Sequence, residues 1–381
     1  MEYFNIMFFS SFFLLTATWL LYPSIIFLIS KIRKPQNNNH SKKHKSPISI
    51  IIAAHNEEQI IAQRIKNIFS GTYPMNLLEV IITSDGSTDS TVAISQKLSK
   101  EFPIKVIDIQ PQRGRANAHN AAAKIANGNI LVFTDADTIF DKLFLDEIIK
   151  AFNNQKVGFA SGCLKYINKN KSTIQKNVNF YWKFELWLRK CESKIGLLST
   201  GTGACCAVRK SLFREIPATG DVDFTTPLDV IKNGYLCKYV PTAVAFDYLP
   251  STKGSEFKAR VRMTTKNFHG TLVRWGITNL ILHPLYSVSI FFHKIFRWLT
   301  PHLMIMLLIS NIYLCDISSF YSFAFIIQIV FYCWGILGFF KIHAPYSGMI
   351  SNFLLANIAF FYGVNKALLG KVPRVYKPIR Q

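Results

Sequence analysis

NILVFTDADT, residues 129–138, decides the reading of this chain. Ile130 to Thr134 is short, apolar and partly β-branched, the pattern of a buried strand. Residues two apart on a strand point to the same side. Asp135 and Asp137 are therefore expected to leave the strand end together. Two such carboxylates can grip one hard cation, Mg²⁺ or Mn²⁺, whose free positions take phosphate oxygens. An isolated Asp-x-Asp is more often a solvated turn, so the weight of this one comes from its surroundings.

Upstream, strand and helix signals alternate. Ile48–Ala53 is the continuous apolar run of a buried parallel strand. Asn56 to Phe69 has helical periodicity, with Glu57 and Glu58 early, as a helix N-terminus prefers. Glu79–Thr83 reads as a second strand, followed by Asp85-Gly86-Ser87-Thr88-Asp89 and a helix to about Lys100. Ile104–Ile109 is a third strand, and Ala116–Ala126 an alanine-rich helix ended by Gly128. This order implies a doubly wound α/β sheet with ligands at the carboxyl ends of its strands, where Asp85, Asp135 and Asp137 fall. A dinucleotide-binding domain would need G-x-G-x-x-G after the first strand, but AHNEE, residues 54–58, has no glycine. The phosphate loop is absent too, so phosphate should be met by metal and by cationic side chains.

The 381 residues carry 44 Lys+Arg against 22 Asp+Glu, a net charge of +22. That excess points to acidic lipid or phosphorylated ligands, and no nucleic-acid-binding motif accompanies it. Nucleic acid is not expected as a partner. Seven cysteines show no metal-ligand or redox spacing and read as free thiols, with adjacent Cys205 and Cys206 as small packing residues.

Tyr3 to Ser30 is uncharged and long enough to span a bilayer. It lacks a basic n-region and cleavage site, so it reads as an uncleaved anchor. The basic run 31–45 that follows should stay cytoplasmic. Leu299–Cys315, Ile317–Phe340 and Ala344–Asn365 are further apolar stretches. Residues 285–298 mix aromatics with His293, Lys294 and Arg297 and read as a helix lying in the membrane interface. Three late spans would leave the C-terminus outside, whereas Lys371, Arg374, Lys377 and Arg380 argue for inside. Ala344–Asn365 is the weakest stretch and the candidate for a re-entrant or interfacial segment. The expected organisation is 1–30 anchor, 31–46 basic linker, 47–276 α/β domain, 277–298 interfacial region, 299–370 membrane segments and 371–381 basic tail.

The motifs, taken in order, resemble the family 2 glycosyltransferases of the GT-A fold, especially membrane-anchored bacterial enzymes related to cellulose, hyaluronan and poly-N-acetylglucosamine synthases. ISIIIAAHNEE (48–58), TSDGSTDST (83–91), GRANAHN (114–120), TDADT (134–138), GTGACCAVRKSLF (201–213) and DFTTPLDVIKNGYLCKYVPTA (223–243) carry the resemblance over about 48–275. It implies an α/β GT-A fold with a doubly wound mixed sheet, plus one N-terminal and two to three C-terminal transmembrane helices. It also implies an inverting, metal-dependent transferase at the cytoplasmic membrane. A nucleotide-diphosphate sugar, UDP-linked, would be the donor, and a glycan or lipid-linked molecule the acceptor. Membrane lipid and other polysaccharide-assembly proteins would be its partners.

Residue by residue, the resemblance assigns Ala54, Glu57, Asp85, Arg115, Asp135 and Arg262 to the donor. Within that set, Asp85 would hold uracil or ribose and Arg262 the diphosphate. Asp135 and Asp137 would hold Mg²⁺ or Mn²⁺. Gly201, Thr202 and Gly203 would form the acceptor-side loop, and Asp223 would be the catalytic base. Two departures stand out. Val222 precedes Asp223 where the family usually has an acid. EFKARVRM (256–263) keeps Arg262 but has Ala259 and Met263 where processive members have Gln and Trp, so short products are expected. A processive synthase, a polyprenyl-phosphate sugar transferase and a catalytically silent scaffold are the rivals.

Overall fold

A strand buried on both faces must be apolar throughout, and the first strand is. In the computed structural model, which describes residues 1–33, 45–168, 171–174, 180–248, 253–276, 278–340, 342 and 344–373, β1 (Ile48–Ala54) lies inside the sheet. Ile48, Ile50 and Ile52 enter one hydrophobic core, and Ile51 the other. β2 (Leu78–Asp85), β3 (Ile104–Ile109) and β4 (Ile130–Thr134) complete the parallel half. β5 (Ile139–Phe140), β6 (Val157–Asn168), β7 (Lys171–Ile174), β8 (Cys206–Arg209) and β9 (Leu236–Tyr248) extend the sheet. Its order is β3-β2-β1-β4-β8-β6-β9-β5, with β7 beside β6. β8 runs antiparallel to both β4 and β6, which makes the sheet mixed.

Helices cover both faces. α1 (Glu2–Thr16) and α2 (Tyr22–Ile32) precede the sheet; α3 (Ile61–Phe69), α4 (Thr91–Leu98), α5 (Arg115–Ile125), α6 (Phe144–Lys150), α7 (Phe180–Ile195), α8 (Val222–Lys232) and α9 (Lys253–Trp275) are woven through it. α3 and α6 sit over one face through Ile61, Ile65 and Ile148. α5 and α8 sit over the other, through small Ala122 and Ala123 and through Leu228. Gly128 shows how close the connections run: a Cβ there would lie 2.4 Å from the Ser49 nitrogen.

The helix expected from Asn56 begins only at Ile61. Asn56 takes a left-handed conformation, φ 55°, and residues 56–58 are held outward by the neighbouring loop. The Asn56 N–H donates to Ser87 Oγ (3.1 Å), and Asn56 Oδ1 accepts from the Thr88 N–H (2.8 Å). The Glu58 N–H donates to Asp89 and its carboxylate accepts from the Ser90 N–H. This reciprocal clasp outweighs the helical periodicity.

α10 (Thr278–Leu282), α11 (Pro284–Ile290), α12 (Phe296–Leu314), α13 (Ser319–Phe339) and α14 (Ser347–Leu368) follow. Among the described residues four helices are long and apolar enough to cross a membrane: Glu2–Ile32, Pro284–Leu314, Ser319–Phe339 and Ser347–Leu368. α1 lies along α12, with Phe4 stacked on Tyr313 at 4.2 Å. Asn311 donates to Gln328 across α12 and α13 (2.9 Å). α14 divides its packing. Its first half meets α13, where Ser351 Oγ donates to the Gly335 carbonyl. Its second half lies on α9, where a Cβ on Gly363 would stand 2.6 Å from the Thr264 side chain. The chain after α14 thus returns to the α/β domain, in keeping with the ambiguity of 344–365 in the sequence. Residues 34–44 of the basic linker and 374–381 of the basic tail lie outside the described residues.

The region expected to lie in the interface, 285–298, instead runs on into α12 through a π turn at Phe291–Ile295. Its basic side chains are not displayed: His293, Lys294 and Arg297 are all buried. They converge on two acids of α7. Lys294 Nζ and Arg297 Nη1 donate to Glu185 at 2.6 and 2.8 Å. His293 lies between Glu185 and Glu192, and Tyr22 of α2 donates to Glu192 at 2.5 Å. Arg189, one turn from Glu185, donates to it at 2.8 Å. Burying such charges is tolerable only when they are paired and hydrogen-bonded.

Removing the shared acid tests this arrangement. Glu185→Gln leaves buried cations without their counter-charge and should destabilise the chain by about 3–5 kcal/mol. Thermal unfolding of the purified protein in detergent measures this. An unchanged midpoint would show that the cluster does not hold the long apolar helices to the α/β domain.

Candidate active site

The site is assembled at the carboxyl ends of the strands, and each piece is fixed from behind. Asp85 ends β2 and is 4% exposed. Its two oxygens accept the Arg113 and Gly114 N–H groups at 2.7 and 2.8 Å. Gly114 is the N-cap of α5, so Asp85 sets where that helix and its first residue, Arg115, begin. β4 stops at Thr134, and Asp135 and Asp137 lie beyond it in a turn. The strand alternation invoked from the sequence therefore does not align them. Asp135 turns inward and is salt-bridged to Arg115. Asp137 is exposed.

Arg64, buried under that turn, donates to Thr134 Oγ1 (2.9 Å) and packs 4.0 Å from the Phe140 ring centre. Asn67 bonds both the N–H and the carbonyl of Phe140. Burial lowers the Arg64 guanidinium to about 9 against the pull of Asp137. α3 thus braces the acidic turn.

Asp221 is the N-cap of α8 and Asp223 sits in its first turn, where the helix dipole favours a carboxylate. The carbonyl of Asp223 accepts the Gly201 N–H (2.8 Å). The Thr202 N–H donates to Ser161 Oγ (3.1 Å), and Thr202 Oγ1 accepts from Arg189 (2.8 Å). The loop 201–203 is therefore tied at one end to Asp223 and at the other, through Arg189, to Glu185. At Gly203 the loop backbone comes close: a Cβ there would be 3.5 Å from Asp223 Oδ1 and 3.7 Å from the Arg115 guanidinium.

These groups surround a cavity of about 660 Å³. Of the residues singled out in the sequence, Arg115, Asp135, Gly201, Thr202, Gly203, Asp223 and Arg262 line it. Ala54, Glu57, Asp85 and Asp137 stand outside its lining. Ala54 is buried at the end of β1, and the Glu57 N–H donates to Thr91. The cavity continues past Asp223 to Trp298 of α12 and Phe360 of α14, with Tyr181 and Trp182 on its wall.

Electrostatics single out two acids. Asp223 is pushed up to about 6 by burial first and by Asp221 second, against Arg115. Asp221 itself is salt-bridged to Lys266 of α9 at 2.6 Å. Asp247, near the end of β9, is pushed up to about 7 by burial and by Asp137. Burial would also raise Glu185, but Lys294, His293, Arg189 and Arg297 together hold it well below the usual carboxylate range. The sequence reading missed Asp221, Asp247, Glu185 and Arg189. Charges at four-residue spacing inside the aromatic helix 180–195, matched by cations in the apolar stretch 284–314, were the available signal.

Asp223 is a partly desolvated carboxylate whose affinity for a proton is raised, and the cations around the cavity suit a phosphorylated ligand. Residues 49–217 match the family model described as Glycosyl transferase family 2. A poly-β-1,6-N-acetyl-D-glucosamine synthase of Staphylococcus epidermidis is 28% identical over 234 residues, covering 60% of this chain and 56% of that protein. A synthase of the same name from a sequenced strain of that species is 27% identical over 285 residues, covering 72% and 67%. The chain thus spans between about half and two thirds of these relatives' length. A solved structure, mannosyltransferase PcManGT from Pyrobaculum calidifontis in complex with GDP-Man and Mn²⁺, superposes with a TM-score of 0.71. It is 18% identical, with 96% of this chain and 99% of that one covered, a likeness of fold. Strand order and motif positions agree with the family match over residues 49–217, and the α/β domain has a fold like that of GT-A glycosyltransferases.

Proposed function

We infer that the cavity transfers a hexosyl or N-acetylhexosaminyl group from a nucleotide-diphosphate sugar, UDP-linked, to a hydroxyl of a glycan or lipid-linked acceptor. One observation carries the reading: Asp223, raised to about 6, faces Gly203 and Arg115 across the cavity. As the acceptor oxygen attacks the anomeric carbon, Asp223 takes its proton. The bond from that carbon to the phosphate oxygen breaks on the opposite face, so the anomeric configuration inverts and the nucleoside diphosphate leaves. Arg115 and Arg262 are placed to meet its charge.

A hard cation fits the acidic turn. Asp135 and Asp137 offer oxygen ligands, and Asp137 already holds up the Asp247 carboxyl, a crowding of acids that a cation would relieve. No three His, Cys, Asp or Glu side chains converge among the described residues, so the donor's own oxygens would complete the shell. Such an ion would supply charge neutralisation of the departing diphosphate. The PcManGT complex holds both a sugar nucleotide and Mn²⁺. The four apolar helices and the basic run after the first support a cytoplasmic membrane protein with the α/β domain on the cytoplasmic side.

A second reading has support of its own. The staphylococcal relatives are named as synthases of a polymer, and the cavity reaches an aromatic wall at α12 and α14. Against it, Ala259 and Met263 line the cavity where processive members have Gln and Trp. Products of one or a few sugars are expected, and gel sizing of the purified chain's product decides. A ladder of tens of sugars would establish the polymerase.

Asp223→Asn is nearly isosteric, and turnover should fall about 10²–10⁴-fold with donor affinity retained. In the unmodified protein kcat/KM should fall tenfold per pH unit below about 6, because the base works only when ionised. The variant should lose that acid limb. Near-normal turnover with an unchanged pH profile would remove Asp223 from catalysis and favour a phosphate acceptor, which needs no base.

Asp137→Asn, like EDTA, should abolish nearly all transfer while circular dichroism stays that of the folded chain. Full activity in either case would falsify the metal assignment.

A further inference from the structure

A second concavity, of about 560 Å³, lies between α9 and α14 on the outer side of Arg262. Four cations border it: Lys258 and Arg262 from α9, Lys366 from the last turn of α14, and Lys371 just beyond. Among the described residues that line it there is no carboxylate. Its walls are apolar and aromatic, with Phe257 and Tyr362 in edge contact at 6.2 Å. The walls are fixed in place, because α9 and α14 touch at Gly363, where not even a methyl group would fit. Lys258, Lys366 and Lys371 place three like charges around one cleft, and an anion seated among them relieves their repulsion. The cleft opens at the end of a helix long and apolar enough to lie in a bilayer, which is where a lipid headgroup sits and its chains can follow the helix.

We propose that this cleft binds the phosphate headgroup of an anionic bilayer phospholipid. Lys258, Lys366 and Lys371 border only the cleft, whereas Arg262 and Pro373 border both the cleft and the catalytic cavity. A lipid held there touches the far side of the arginine assigned to the donor diphosphate. The occupancy of the cleft therefore positions Arg262 and makes donor capture depend on the charge of the surrounding membrane. This rests on the reading of α14 as membrane-embedded and of Arg262 as a donor contact.

The test is lipid retention, measured without donor or turnover. The full chain in detergent is given phosphatidylglycerol or phosphatidylcholine, and bound lipid is counted by native mass spectrometry. Preferential retention of phosphatidylglycerol is expected, falling at least fivefold in K258A/K366A/K371A. It should persist in K97A/K100A/K142A, which removes three exposed lysines elsewhere. Equal loss in both triple variants would reduce the effect to net charge and overturn the proposal, as would equal retention of the two lipids. Displacement by millimolar inorganic phosphate would identify a site for a soluble anion instead. Should the triple variant not fold, K366E alone is expected to lower retention, and unchanged retention there counts against the site. Failure of lipid binding with intact sugar transfer leaves the enzymatic reading standing; retained lipid with no transfer condemns that reading and not this one.

Discussion

Glu185 is the point on which the rest of the structure turns. A carboxylate buried on α7 is tolerable only because Arg189, His293, Lys294 and Arg297 surround it. Those partners come from two places. Arg189 shares its helix and reaches on to Thr202 of the loop 201–203, while the other three belong to the long helix 284–314. Neither the apolar helix nor the α/β domain could bury its own charges alone. Each supplies the counter-charges of the other, so the two must dock in one register. Arg297 also stacks against Trp19, Tyr181 and Phe184, bringing the N-terminal helix into the same contact.

From that joint the order passes to the chemistry by short steps. Arg189 holds Thr202; Gly201 beside it donates to the carbonyl of Asp223; Asp223 faces Gly203 and Arg115. Asp223 is thus located relative to the long apolar helices as well as to the sheet. On the opposite flank Asp85 places Arg115 by fixing the start of α5, and the clasp between residues 56–58 and 87–90 holds the first two strand-end loops together. Asp85 and Glu57 stand outside the cavity lining, and the bonds the structure gives them hold loops in place.

Charge is distributed with a sense. Acids gather at the strand ends and the start of α8, where they raise one another: Asp221 acts on Asp223, and Asp137 on Asp247. Cations gather on α9 and at the end of α14. A ligand carrying phosphate at one end and a hydroxyl-rich sugar at the other suits a cavity lying between such regions.

The sequence by itself determined the parallel half of the sheet, the alternating helices and the four apolar segments. Continuous β-branched runs, an alanine-rich helix and long uncharged stretches each fit one environment only. The resemblance of its motifs to the family 2 glycosyltransferases also put Arg115, Asp135, Gly201, Thr202, Gly203, Asp223 and Arg262 in one group, and all seven line one cavity. Tertiary structure decided what depends on partners distant in the chain. Asn56 left the helix because Ser87 and Thr88 bind it. Asp135 and Asp137 lie in the turn after β4 and not on the strand, and Arg115 is paired with Asp135. Residues 285–298 became the buried start of a long helix because α7, a hundred residues earlier, carried the acids to neutralise them. Local periodicity records which face of an element is apolar; it holds no record of a counter-charge elsewhere, and in this chain that counter-charge fixed where the long apolar helices meet the cavity.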